Sequence, residues 1–197
     1  TNGYVHKEAR EAFFSFVDAA NVDLKAFSES FYTSLTGGDL KTVLDTLSYI
    51  RNKTAVWLEI TTLIIPGEND SDSEIKKLAQ WVLNELGSET PLHFSAFHPD
   101  YKMKEKPSTS LSSLVRARDI ARETGLVHVY TGNVTYPPGD TTFCHNCGAS
   151  LIERERYEIS TYQLTEFGYC NKCGTQLVGK FGRKSGDWGS KRRPVRI

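Results

Sequence analysis

Apolar positions in the first two thirds of the chain switch repeatedly between helical and strand-like spacing. Leu40, Val43, Leu44 and Leu47 fall at 0, +3, +4 and +7, one face of a helix. Val56 to Ile65 is an apolar, β-branched run stopped by Pro66-Gly67, the pattern of a buried strand ended by a turn. Ser71 to Glu74 has the spacing of a capping box. Behind it, Ile75, Leu78, Ala79, Val82, Leu83 and Leu86 predict an amphipathic helix closed by Gly87. A helix is predicted from about Glu8 to Val17. Another is predicted from Leu111 to Glu123, with Leu114, Val115, Arg118 and Ala121 near one face and Gly125 as its stop. Asn21–Lys25, Leu92–Phe97 and Val127–Tyr130 read as further strands.

Strand, helix and strand joined by short loops imply parallel pairing and right-handed crossovers. The fold class is therefore α/β, either part of a (β/α) barrel or an open sheet. Three or four strands are too few to close a barrel. Thr1-Asn2-Gly3-Tyr4 reads as the end of a strand. The expectation is the C-terminal portion of a larger protein, and the alternative is a small complete α/β domain. Pro137-Pro138-Gly139-Asp140 marks a change of composition and reads as a linker or tight turn. The expected organisation is an α/β part over 1–136, a cysteine-bearing module over 137–181 and a basic tail over 182–197. In that tail Arg183, Lys184, Lys191, Arg192, Arg193 and Arg196 stand against Asp187.

Composition narrows the function classes. The 197 residues are 39 % hydrophobic and 24 % charged, which excludes a wholly disordered or collagen-like chain. Leu63-Ile64-Ile65 is far short of the roughly 20 apolar residues of a membrane helix. No basic-then-apolar stretch opens the sequence, so the expected location is cytoplasmic. The 24 basic and 24 acidic side chains cancel, giving no global pull toward nucleic acid or an anionic membrane.

All four cysteines fall in two matching Cys-x-x-Cys-Gly units, Cys144 to Gly148 and Cys170 to Gly174. Two intervening residues let both sulfurs of a tight turn face one ion, and the glycine supplies a permissive backbone. Four thiolates form a closed tetrahedral site, the usual structural zinc arrangement. Tyr157, Ile159, Tyr162 and Leu164 between the pairs suit the short strands of a zinc ribbon. Rubredoxin-like iron, two disulfides or a redox pair are the alternatives, and His145 reads as a solvated turn residue. In the α/β part, Asp23 and Lys25 share one face of a strand near its C-terminal end, where α/β folds build their sites. They are candidates to hold a zwitterionic amino-acid group, or else form a structural ion pair. His98 ends a later strand. Glu59 interrupts an apolar strand, as a site residue or as the partner of a buried cation.

Taken together, Asn21-Val22-Asp23-Leu24-Lys25, Leu63 to Asp70 and Phe94 to Pro99 resemble the radical S-adenosylmethionine enzymes related to pyruvate formate-lyase activating enzyme. Trp57 to Thr62, Phe97 to Met103, Val129 to Val134 and the cysteine pairs look like the radical enzyme of the AmmeMemoRadiSam system. The resemblance implies a partial (β/α) barrel that binds S-adenosylmethionine and a 4Fe-4S cluster. It implies reductive cleavage of that cofactor to a 5′-deoxyadenosyl radical, which takes hydrogen from a substrate, expected to be a protein or other macromolecule. By similarity, Asp23, Lys25 and His98 contact S-adenosylmethionine. The family's Cys-x-x-x-Cys-x-x-Cys cluster motif is absent, so this chain alone is expected to be inactive. The competing expectation is a non-catalytic protein whose ribbon and basic tail grip nucleic acid or a protein partner.

Overall fold

In the computed structural model, which describes residues 1–186, the chain forms two compact units, Thr1–Val134 and Thr135 onward. The first begins with α1 (Lys7–Phe14), β1 (Ala19–Asp23), a short helical stretch α2 (Glu29–Phe31) that runs on as a π-turn through Thr36, and α3 (Leu40–Lys53). It continues with β2 (Trp57–Ile64), α4 (Asp72–Leu86), β3 (Leu92–Ala96), α5 (Leu111–Thr124) and β4 (Val129–Gly132). The strands lie in the order β1-β2-β3-β4, and every neighbouring pair is parallel. Each crossover therefore advances the sheet by one strand in one direction, the winding of a (β/α) barrel rather than of a doubly wound sheet.

Alternation along the strands sorts residues onto two faces. Val22, Leu58, Ile60, Ile64, Leu92, Phe94 and Val129 are buried on one face. They share a core with Val43, Leu47 and Ile50 of α3, Leu78 and Val82 of α4, and Leu114 and Ala121 of α5. The other face carries Asn21, Asp23, Trp57, Glu59, Thr61, His93, Ser95 and Tyr130, partly or fully exposed. An all-parallel sheet is ordinarily covered on both faces, so this polar face is the one available for chemistry.

The helix ends follow from local chemistry. Asp39 caps α3 by accepting the Thr42 backbone N–H at 2.7 Å, and Tyr4 donates its hydroxyl to the same carboxylate at 2.9 Å. These contacts, the Thr42 backbone first, hold the Asp39 carboxyl below its ordinary range. Ser71 caps α4 by accepting the Glu74 N–H. Half of the expected capping box is missing, because Glu74 accepts from Phe27 N–H at 2.6 Å and ties the β1–α2 loop to α4. Gly125 ends α5 in the left-handed region at φ 116°. Gly3 (φ 71°) is also required: a Cβ there would approach Val22 to 2.8 Å. Thr1 lies beside β1, donating to Asn21 O and accepting from Asp23 N–H in the pattern of a parallel strand. α1 stops at Phe14, three residues before the predicted end.

The second unit has a one-turn helix α6 (Pro137–Asp140), where a linker or turn was expected. An antiparallel sheet follows: β5 (Thr142–Phe143), β6 (Ser150–Glu155) and β7 (Glu158–Tyr162). Its small core is Leu151, Ile152, Leu164 and Leu177 with Cys144 and Cys170. Tyr157 is not a strand residue as expected; it sits exposed in the β6–β7 turn beside Arg156 at φ 56°. Of the expected basic tail, Arg183 and Lys184 are described, while Lys191, Arg192, Arg193 and Arg196 lie outside the described residues. Among the described residues no helix is long and apolar enough to cross a membrane.

Candidate functional site

β1 ends at Asp23, so Lys25 lies in the loop just beyond the strand rather than in it. Its chain still turns the side chain onto the polar face, where Lys25 Nζ meets Asp23 Oδ2 at 3.0 Å with both side chains about a third exposed. Tyr32 accepts the Lys25 N–H through its hydroxyl at 3.0 Å. Burial pushes the Tyr32 phenol up to about 12, so it stays neutral. The pair is thus at the C-terminal edge of the sheet, as expected. His98 follows β3 and is exposed, and its Nδ1 lies 3.1 Å from the carbonyl of adjacent Pro99. The structure joins Asp23 to Lys25 and leaves His98 bonded within its own loop.

Asn69, which the sequence offers only as part of the Leu63 to Asp70 motif, and Thr109, which it does not single out, hold this edge together. Asn69, only 2 % exposed, donates to Lys25 O at 2.7 Å and Leu63 O at 2.8 Å, and accepts from Ile65 N–H at 2.7 Å. Thr109 accepts from Phe97 N–H at 2.9 Å and donates to Ile64 O at 2.5 Å. Thr62 adds a bond to Leu24 O at 2.8 Å. These three side chains lock the ends of β1, β2 and β3 to one another. Lys106 and Glu68 form an ion pair between the loops that follow β3 and β2. Glu59 is about a third exposed on the polar face and bonds His93 and Trp57.

In the second unit the two cysteine turns repeat one hydrogen-bond pattern. Cys144 N–H donates to Ala149 O and Gly148 N–H to Cys144 O; Cys170 N–H donates to Thr175 O and Gly174 N–H to Cys170 O. Gly148 and Gly174 adopt φ of 70° and 74°. The four sulfurs lie within 4.8 Å of one another, with Cys144–Cys173 at 3.6 Å and Cys147–Cys170 at 3.8 Å. A tetrahedron with metal–sulfur bonds of about 2.3 Å has edges of about 3.8 Å, so the cluster has the size of a closed thiolate site. Thr175, through its hydroxyl and backbone, pulls the Cys173 thiol down to about 6. At Cys147 the Ala149 backbone also lowers the value. Hydrogen bonding to the neighbouring sulfurs, Cys173 first, together with burial outweighs it and pushes that thiol up to about 11. Four sulfurs this close resist joint ionisation, and a dication removes the conflict. Asn146 reaches Thr175 Oγ1 at 3.0 Å and closes the rim.

The fold and site together define an α/β chain of partial-barrel winding with a four-cysteine, zinc-ribbon-like module. A solved domain of pyruvate-formate lyase-activating enzyme from Bacteroides vulgatus has the same fold, with a TM-score of 0.56 and 16 % identity over 65 % of this chain and 75 % of that one. A protein of Methanocaldococcus jannaschii, itself uncharacterised, is 42 % identical over 178 residues, 90 % of this chain and 52 % of its own length. A second protein of that organism, provisionally named a glycyl-radical enzyme activating enzyme, is 39 % identical over 87 residues, 43 % of this chain and 33 % of its own. The chain thus spans about half the length, or less, of the curated relatives it matches. No family model matches it.

Proposed function

We propose that the chain is the C-terminal half of a radical S-adenosylmethionine enzyme of the AmmeMemoRadiSam type, related to pyruvate formate-lyase activating enzyme. The observation that carries this reading is the half-barrel sheet with an Asp23–Lys25 pair, about a third exposed, at its C-terminal edge. The resemblance of the fold to an activating-enzyme domain supports it.

The polar face fits the cofactor's aminoacyl and ribose groups. Asp23 offers a carboxylate to an ammonium or to ribose hydroxyls, and Lys25 offers an ammonium to a carboxylate. His98 would close the pocket from the end of β3. The residues do not fit the family's 4Fe-4S cluster: all four cysteines are committed to the ribbon turns. Bound beside Asp23, Lys25 and His98 in the parent, S-adenosylmethionine would supply the radical chemistry. This half contributes cofactor binding and the floor of the barrel. The ribbon would hold zinc, or iron, as a structural ion. Residues 1–136, 137–181 and 182–197 would serve as barrel half, ribbon module and basic tail, in a cytoplasmic enzyme whose substrate is a protein or another macromolecule.

The test is formation of 5′-deoxyadenosine from S-adenosylmethionine under reducing conditions. The full-length protein with an intact cluster is expected to form it, and the 197-residue chain is expected to form none. A full-length protein that carries its cluster and makes none would overturn the reading.

A further inference from the structure

The strand register places more than the Asp23–Lys25 pair on the polar face. Asp23, Thr61, His93 and Tyr130 are successive lateral partners in one row across all four strands. At about 4.8 Å per strand, His93 stands roughly 10 Å from Asp23 along that row. The imidazole is fixed on two sides. Its Nε2 lies 2.9 Å from Glu59 Oε2, and Trp57 donates its indole N–H to Glu59 Oε1 at 3.0 Å. Tyr130 stacks on the ring with centroids 5.0 Å apart and planes 25° apart. Because the carboxylate takes the Nε2 proton, Nδ1 of the neutral ring is the lone-pair side. Among the described residues Nδ1 has no hydrogen-bond partner, and neither do the hydroxyls of Thr61 and Ser95 beside it.

The next row, Leu63, Ser95 and Gly132, keeps the surface low beside the ring. A Cβ on Gly132 would come within 2.7 Å of Ser95 Oγ. The ring is oriented by a carboxylate, and its second nitrogen lies on the partly exposed polar face beside the Thr61 and Ser95 hydroxyls. Among the described residues, the charged side chains paired on this face are Asp23, Lys25 and Glu59.

We propose that His93 contacts the molecule on which the bound cofactor acts, accepting through Nδ1 a hydrogen bond from an N–H or O–H group, with Thr61 and Ser95 flanking it. The inference rests on the polar face being the reaction side. It assigns Glu59 and Tyr130 as positioning residues for the ring.

The test uses the 197-residue chain labelled with [15N]histidine. Long-range 15N spectra are expected to show His93 as the Nε2–H tautomer in the neutral ring. Added N-methylacetamide, which has one N–H donor, is expected to move the His93 Nδ1 signal saturably, with a dissociation constant of roughly 10–100 mM for so small a ligand. N,N-dimethylacetamide, which has no donor, is expected not to move it. Glu59→Ala should weaken the response at least threefold while the chain stays folded by circular dichroism; Ser95→Ala serves as a second variant if it does not. Equal responses to the two amides, no saturable response, or the Nδ1–H tautomer would each overturn the inference. Deoxyadenosine formation by the full-length protein separates the two claims. If it forms and the donor test fails, the inference about His93 falls alone. If it does not form and the donor test succeeds, the radical reading falls and His93 remains an acceptor for some other ligand.

Discussion

Replacing Asn69 with alanine is expected to be among the most destabilising single changes in the Thr1–Val134 unit. The amide makes three bonds of 2.7, 2.7 and 2.8 Å and is 2 % exposed. Alanine strands two carbonyls and one N–H at the junction of β1, β2 and the loop after β2. Each buried group left without a partner costs about 1–3 kcal/mol, and partial rescue by water lowers the sum, so a loss of about 3–5 kcal/mol is expected. The adjacent Asp70 supplies the control. It accepts only Gly67 N–H, at 2.9 Å and exposed, so Asp70→Ala should cost under about 1 kcal/mol. Urea unfolding followed by Trp57 and Trp81 fluorescence measures both, with Trp188 replaced by phenylalanine so that the signal reports this unit. Equal, small losses for Asn69→Ala and Asp70→Ala would refute the assignment of Asn69 as the clamp of the strand ends.

The chain should retain about one zinc or iron ion, and Cys144→Ser, at a buried ligand, should abolish retention and loosen the ribbon while the α/β unit stays folded; metal analysis with separate thermal transitions checks both. Asp39→Ala should destabilise the protein at neutral pH. Because the native Asp39 carboxyl is held below its unfolded value, that contribution is complete above about pH 4 and is lost as the pH falls through the native value, so wild-type and variant melting curves should converge in acid. On the proposed function, in a full-length protein reconstituted with a 4Fe-4S cluster, Asp23→Asn, Lys25→Met and His98→Ala should each weaken S-adenosylmethionine binding by roughly ten- to a hundredfold, from one charged hydrogen bond of about 1.5–3 kcal/mol. The same Asp23 and Lys25 changes should cost under about 1 kcal/mol of stability, since the pair is a third exposed. Large stability losses with unchanged affinity would make the pair structural.

Much of the fold was readable because its signals are local. The apolar, β-branched run of β2 with its Pro66-Gly67 stop, the Ser71 and Gly125 helix ends and the twin cysteine turns all depend on neighbours within a few positions. The clamp was not readable. Asn69 lies 44 positions from Lys25, and Thr109 45 positions from Ile64. In sequence, the loop of Asn69 looks like ordinary turn chemistry. Tyr157 misled for the opposite reason: an aromatic residue suits a strand, but the hairpin needed a turn at Arg156 and took Tyr157 with it. Glu74 kept the spacing of a capping box, yet a long-range partner, Phe27, took its carboxylate. The Glu59–His93 pair needed the register of two strands before it could be seen.

The one-directional winding of the sheet makes this unit modular. Every crossover joins strands that are already side by side, so no connection passes over a third strand. A further strand–helix step can therefore be added at the β1 or β4 border without rethreading what is there, and the register of the existing rows survives the addition. Such a sheet pairs only consecutive strands, so its lateral partners stay 32 to 38 positions apart and none is more distant. A protein built this way can be lengthened, fused or divided at a strand border while each piece keeps its own core.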